Sequence, residues 1–376
     1  MLAGTNIETV LAISLATKAR KLLVKKIAYA GRRSVAQVHL LCNLISDYSS
    51  NISWHNALKH LFRNKHATKE LPMTKTLLSL LAFMLCAGSA IATPLVIEQA
   101  GPGIYVHHGV HEDLAEGYHG DICNVGFIVG SKGIAVIDTG GSFNIGQQLH
   151  EAIRKISPLP ILYVINTHVH PDHIFGNAAF VQDKPAFVGH AKLADAMERR
   201  RETYMRINQI WLGDGFAGSE MVKPTQMVQD SLELDLGDRK LQLTAYPAAH
   251  TNTDVTVLDS KTSTLWTGDL LFVERTPSID GDIKGWIDLI SKLKTVPALQ
   301  AVPGHGPVVK AWQTALDNEQ RYLSTLLNDI RASIKKGEVM ESAMSTAAAS
   351  EKDKWALFSI VNRRNVNTVY PALEWE

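Results

Sequence analysis

The chain has 376 residues, 45% of them hydrophobic and 20% charged, with a formal net charge of +1. Those proportions exclude a chain disordered throughout, because there is enough apolar surface to offset the entropy lost on ordering. Three cysteines are too few for a disulfide-stapled scaffold, so the fold must rest on a packed core.

In chain order, the first feature is a charge asymmetry. Residues 1–72 hold eleven Lys and Arg against Glu8, Asp47 and Glu70, a net +8, which leaves −7 for the remainder. A basic head on an acidic body ordinarily marks an arm for nucleic acid or a membrane surface. The next segment favours a different reading. Lys75 precedes an apolar stretch over 76–85 and a small-residue ending, CAGSAIA, over 86–92. A positive start, a short apolar run and small residues at the end are the parts of a secretory signal peptide. The run is shorter than the roughly 20 residues that span a bilayer, and Cys86 lacks the small residues before it that lipid attachment needs. No stable membrane anchor is expected.

Three segments follow. Residues 1–72 form a basic extension, 73–92 an export signal, and 93–376 one large domain sent to the periplasm or beyond. Met73 is the expected translation start, with residues 1–72 an overlong reading of the gene. A genuine basic extension with helical character over 11–30 is the alternative. The acidic charge of the domain argues against a nucleic-acid partner.

Within the domain, strand patterns fall at 103–107, 124–129 and 134–138, and a helical pattern at 144–156. Cys123, before an apolar strand, reads as a small buried residue. An apolar strand at 161–165 is followed by a polar loop, a helix over 191–206 and a strand group over 227–258. The apolar run 265–272 and a long helix over 310–335 complete the pattern. Alternating strands and helices predict an α/β fold in which two sheets face one another with helices outside.

The loop after 161–165 carries the chemistry. Segment 166–177 reads NTHVHPDHIFGN, placing His168, His170, Asp172 and His173 within six residues. Neutral imidazole and carboxylate bind divalent transition metals. Residues two apart on an extended segment share a face, so His168 and His170 point together. A turn begun by Pro171 can then carry Asp172 and His173 to an adjacent position. One loop can thus seed two neighbouring metal sites. Remote ligands should complete them from strand ends, and His250, Asp269 and His305 are the candidates. Zinc is the default metal for such a set, and iron and manganese accept the same ligand types.

The order of these blocks resembles the metallo-β-lactamase superfamily of metal-dependent hydrolases, from about residue 95 to the C-terminus. The resemblance implies a four-layer αββα sandwich. It assigns His168, His170 and His250 to a first metal and Asp172, His173 and His305 to a second, with Asp269 bridging them. It gives Asp138 a structural role, tying down backbone near the metal loop. A narrower resemblance rests on YHGDI at 118–122, TGDLLF at 267–272, DGDIKGW at 280–286 and LEWE at 373–376. These blocks are similar to the quinoprotein relay system zinc metallohydrolases, which are exported and associated with quinoprotein dehydrogenases.

With two zinc ions, such a site holds a bridging water whose pKa falls to about 7, and the hydroxide attacks a carbonyl, thioester or phosphoryl centre of a small-molecule substrate. Asp172 would orient it or return a proton to the leaving group. Three other classes share the scaffold or setting: a β-lactamase, a mononuclear iron sulfur dioxygenase, and a non-catalytic periplasmic accessory protein binding metal or a quinone cofactor. Asn177, Thr251 and Asp254 are candidate partners of the imidazoles. His107, His108, His111 and His119 read as surface or supporting groups.

Overall fold

The structure, a computed structural model, describes residues 95–115 and 117–376; residues 1–72 and 73–92, expected to be a basic extension and an export signal, lie outside the described residues. Two sheets stand between helices. The first has seven strands in sequence order: β1 (Glu98–Gly101), β2 (Ile104–His107), β3 (Val125–Val129), β4 (Ile134–Ile137), β5 (Ile161–Ile165), β6 (Ala186–His190) and β7 (Gln226–Val228). β1 to β4 are antiparallel neighbours, whereas β4 to β7 pair in parallel. The parallel pairs need crossovers. Helix α1 (Phe143–Ile156) bridges β4 to β5, and the short α2 (Pro171–Ile174) with a following 3₁₀ segment bridges β5 to β6. Helix α3 (Leu193–Leu212) then leads towards β7.

The second sheet has five strands: β8 (Ser231–Asp235), β9 (Lys240–Ala245), β10 (Val255–Asp259), β11 (Thr264–Phe272) and β12 (Gln300–His305). It is antiparallel apart from the β11–β12 pair, which is parallel and joined by α4 (Ile283–Leu293). After β12 come α5 (Trp312–Lys335), α6 (Met340–Thr346) and α7 (Phe358–Leu373).

Alternation along the strands explains the layers. On β4, Ala135 and Ile137 face one way into a core shared with Leu241, Leu243, Val255, Val257 and Trp266 of the second sheet. Ile134 and Val136 face the other way, against Leu149 and Ile153 of α1. β3 does the same, with Ile128 between the sheets and Phe127 under α1. On the far side, Leu271 and Phe272 of β11 meet Trp286 of α4, Leu323 of α5 and Val366 of α7. A side chain with apolar neighbours on both sides of a pleat can only sit between layers, and each such burial stabilises by about 1.5–3 kcal/mol. The result is the four-layer helix–sheet–sheet–helix sandwich expected from the sequence. α1 begins at Ser142, whose hydroxyl accepts from Ile145 N at 3.3 Å, the usual means of satisfying a free amide at a helix start.

Candidate metal centre

The seven residues predicted from sequence lie far apart in the chain and converge at one end of the two sheets. β5 ends at Ile165, and the chain bends over residues 167–169 before His170, whose backbone is extended, while Val169, between the two histidines, is buried in an apolar cluster under α3. His168 Nε2 and His170 Nδ1 both face His250 Nε2, at 3.2 and 3.0 Å. Pro171 opens α2 directly after His170, the first helical position being where its missing N–H costs nothing. That single turn carries Asp172 and His173 to a second position shared with His305. Asp172 Oδ2 stands 3.5 Å from both His173 Nε2 and His305 Nε2.

Asp269 lies between the two groups. Its Oδ2 is 3.3 Å from His250 Nε2, 3.3 Å from His305 Nε2 and 3.8 Å from His168 Nε2, while its Oδ1 is 3.2 Å from His173 Nε2. Its place depends on two glycines. The β11–β12 register shifts around Gly268, whose φ is +51°, so the strand bulges where the carboxylate must turn inward. Opposite, a Cβ on Gly304 would fall 1.9 Å from Asp269 Oδ1, so only glycine leaves room for the carboxylate.

The second nitrogen of each imidazole shows which atom faces inward. His250 Nδ1 donates to Ser278 O at 2.7 Å and His305 Nδ1 to Ile122 O at 2.6 Å. His173 Nδ1 donates to Asp138 Oδ2 at 2.7 Å, and His170 Nε2 to Asp280 Oδ2 at 3.1 Å. His168 Nδ1 is 3.0 Å from Thr167 Oγ1, whose own proton goes to Asp138 Oδ2 at 2.7 Å. Every neutral ring therefore carries its proton outward and aims a lone pair at the centre. With every ring neutral, five lone pairs and two carboxylates meet with no proton between them.

A divalent cation fits that donor set. Two buried atoms at its heart, His173 Nε2 and Asp269 Oδ1, have no hydrogen-bond partner, although buried polar atoms are nearly always paired. Two ligands at about 2.0–2.1 Å from one tetrahedral zinc stand roughly 3.3 Å apart, close to the separations just given. Two groups of donor atoms, His168 with His170, His250 and Asp269, and His173 with Asp269 and His305, each lie within 4.8 Å of one another.

Charge follows the same layout. Burial holds His168 well below the ordinary imidazole range and brings His250 down to about 3. Burial would lower His173 too, but Asp269, Asp138 and Asp172 outweigh it and hold it well above that range. Burial would raise Asp269, yet the surrounding His305, His173, His168 and His250 keep it well below the usual carboxylate range.

Some supporting groups differ from those expected. Asp138 does tie down loop backbone, accepting from Thr167 N at 2.8 Å. Asn177 bonds Thr139 and Asn166 rather than an imidazole, and Thr251 and Asp254 bond one another. The unforeseen supports are the Ile122 and Ser278 carbonyls and Asp280. Asp280 also accepts from Arg200 Nη2 at 3.0 Å, and its N–H donates to His250 O at 3.1 Å. It opens the DGDIKGW block; an acidic residue there could have been sought as the acceptor that a ligating imidazole requires. Arg275 was also missed. It is 6% exposed, its guanidinium donates to Glu112 O at 3.1 Å, and it has no carboxylate ion pair among the described residues. Burial lowers its pKa while Asp172 and Asp269 oppose the shift. His107, His108 and His119 pair with Asp121, Glu98 and Glu112, outside the cluster.

Residues 119–305 match the sequence model of the metallo-beta-lactamase superfamily, a span that holds all seven clustered residues. A linear primary-alkylsulfatase of Pseudomonas sp. is 37% identical over 62 residues, 16% of this chain and 12% of that protein. An acyl-coenzyme A thioesterase of Bos taurus is 28% identical over 187 residues, 45% of this chain and 62% of the thioesterase. The chain thus spans less than two thirds of either relative. Among solved structures, a stereoselective inverting sec-alkylsulfatase from Pseudomonas sp. superposes with a TM-score of 0.57 at 16% identity, covering 74% of this chain and 50% of the other. At that identity the likeness is one of fold.

Proposed function

The chain belongs to the metallo-beta-lactamase superfamily of hydrolases, and from that premise we propose an exported dinuclear zinc hydrolase that cleaves an ester, thioester or amide-like bond. The observation that carries this reading is the set of five inward lone pairs around Asp269, whose Oδ1 has no hydrogen-bond partner. His168, His170 and His250 would hold one ion, and Asp172, His173 and His305 the other, with Asp269 between them. Zinc is favoured by the imidazole-rich set. The relation to a thioesterase makes thioesters the first substrates to try.

Bound there, divalent ions would supply Lewis acidity and acidify a water to a pKa of about 7. The chain's own residues do the rest. Asp172 is the more open of the two carboxylates, with 8% of its side chain exposed against 3% for Asp269. It is placed to hold the attacking water's proton and return it to the leaving group. Burial, with the carboxylates of Asp280 and Asp172, pushes the phenol of Tyr204 on α3 up, so it stays protonated. The buried Arg275 guanidinium favours a substrate that carries a negative charge near the scissile bond.

Export rests on the signal-like segment 73–92, and a link to a quinoprotein dehydrogenase on the narrower family resemblance. The test is hydrolysis of a panel of thioesters, esters and lactams by the purified protein, with and without a chelator. Turnover of at least one, abolished by chelation and restored by zinc, supports the reading. Metal-loaded protein inert on the whole panel favours the accessory role.

A further inference from the structure

Cys123 is fully enclosed at 2% exposure, as expected of a small apolar residue, but its surroundings are those of a ligand. Its Sγ and donor atoms of Asp172 and His173 lie within 4.8 Å of one another. His173 is itself fully buried, and its Nε2 has no hydrogen-bond partner. The thiol itself donates to Asp172 O at 2.8 Å, so the sulfur sits against the turn of α2 that presents both residues.

The backbone holds the sulfur there. Ile122 O accepts from His305 Nδ1 at 2.6 Å. Asn124 N donates to Gly304 O at 2.7 Å, and its side-chain amide to Pro303 O at 2.8 Å and Gly306 O at 2.7 Å. Residues 122 and 124 therefore grip the loop of His305 on both sides of Cys123. Behind them Gly109 packs so closely that a Cβ would fall 2.4 Å from Ile122 C and 2.6 Å from Cys123 N. The strap cannot retreat, and Cys123 is fixed in relation to three residues of the second position.

Resting on the dinuclear reading above, we propose that Cys123 supplies a sulfur ligand to the metal held by Asp172, His173 and His305. On ligation the S–H bond breaks, its proton passes to solvent and a sulfur lone pair forms the bond to the ion, with no change of oxidation state. A thiolate makes this position softer than its imidazoles and carboxylates alone. It would prefer zinc over manganese, and would differ in that respect from the sulfur-free first position.

The test uses the full chain loaded with zinc or cobalt(II). Zinc-edge X-ray absorption of the wild-type protein should show a sulfur scatterer at about 2.3 Å, and the cobalt protein a thiolate charge-transfer band in the near ultraviolet. Both signals should survive Cys42→Ser with Cys86→Ser and vanish in Cys123→Ser. Cys123→Ser should also weaken zinc at one of two positions by at least the roughly 10- to 100-fold seen when a supporting group is removed. Two bound metals without a sulfur scatterer in the wild-type protein would overturn this inference and leave the hydrolase reading intact, and that measurement needs no variant to fold. A sulfur signal lost with Cys42 and Cys86 but kept in Cys123→Ser would overturn it as well. Failure to bind metal at all would overturn the hydrolase reading first.

Discussion

Asp138 gives the sharpest prediction because its carboxylate receives three donors: Thr167 N at 2.8 Å, Thr167 Oγ1 at 2.7 Å and His173 Nδ1 at 2.7 Å. Asp138→Asn preserves the shape. Its backbone φ of +52° is one that asparagine tolerates, so no new strain enters. An amide, however, offers one accepting oxygen and one donating nitrogen. Whichever way it turns, at least one of the three donors faces another donor. An unsatisfied buried donor costs about 1–3 kcal/mol, which sets the expected loss of stability in the metal-free protein. His173 also loses the charge that fixes its outward proton, so metal at the second position should weaken by about 10- to 100-fold, or roughly 1.4–2.8 kcal/mol. The first position, whose imidazoles rest on Asp280, Ser278 and Thr167, should change less. Urea unfolding of the metal-free protein measures the first quantity, and chelator competition with stepwise metal release the second. An affinity at the second position unchanged from wild type, or weakened no more than at the first, would refute the argument that this carboxylate sets the His173 tautomer.

Asp280→Asn should act in the complementary sense, weakening the metal held by His170 by about 10- to 100-fold in the same competition assay while the other ion stays bound. Arg275→Met should raise KM for anionic substrates, leave it unchanged for neutral ones, and keep two metals per chain by elemental analysis. Glu319 of α5 tests a buried charge. Its Oε1 accepts from Phe272 N at 2.9 Å, Oε2 has no partner, and burial holds the carboxyl well above its ordinary 4.5. With the folded pKa raised, the native state keeps a proton that the unfolded chain has lost, so stability falls as pH rises above 4.5. Glu319→Gln removes that slope. Urea midpoints of the metal-free variant and wild type should therefore diverge towards pH 8, with the variant the more stable.

The two sheets and the long helices were legible because their apolar spacing is regular. β2 to β5 and α1 fall within a residue or so of the expected ranges, and α5 starts two residues later than expected. The loop cluster from His168 to His173 was legible because its density of donors has no structural use. Other parts were not. α4 is short and starts in a glycine-rich block, where Asp282 accepts from Lys284 N at 3.0 Å to cap it. α7 carries Pro371 within it, which masks its period. α3 runs on to Leu212, beyond the expected 206, because its face packs against the metal loop through Val169 and Phe175. Supporting groups such as the Ile122 and Ser278 carbonyls are backbone atoms and leave no trace in residue identity. Asn177, Thr251 and Asp254 were plausible partners by proximity in sequence, but they hold the loops rather than the rings.

The central claim is that seven side chains from distant parts of the chain form one pair of adjoining cation sites. Elemental analysis of the purified full chain, followed by chelator titration, tests it directly. The expected result is two divalent ions per chain, released in two steps, with one step lost in His250→Ala and the other in His305→Ala. A protein that holds no divalent metal, or whose metal is indifferent to both substitutions, would contradict the claim.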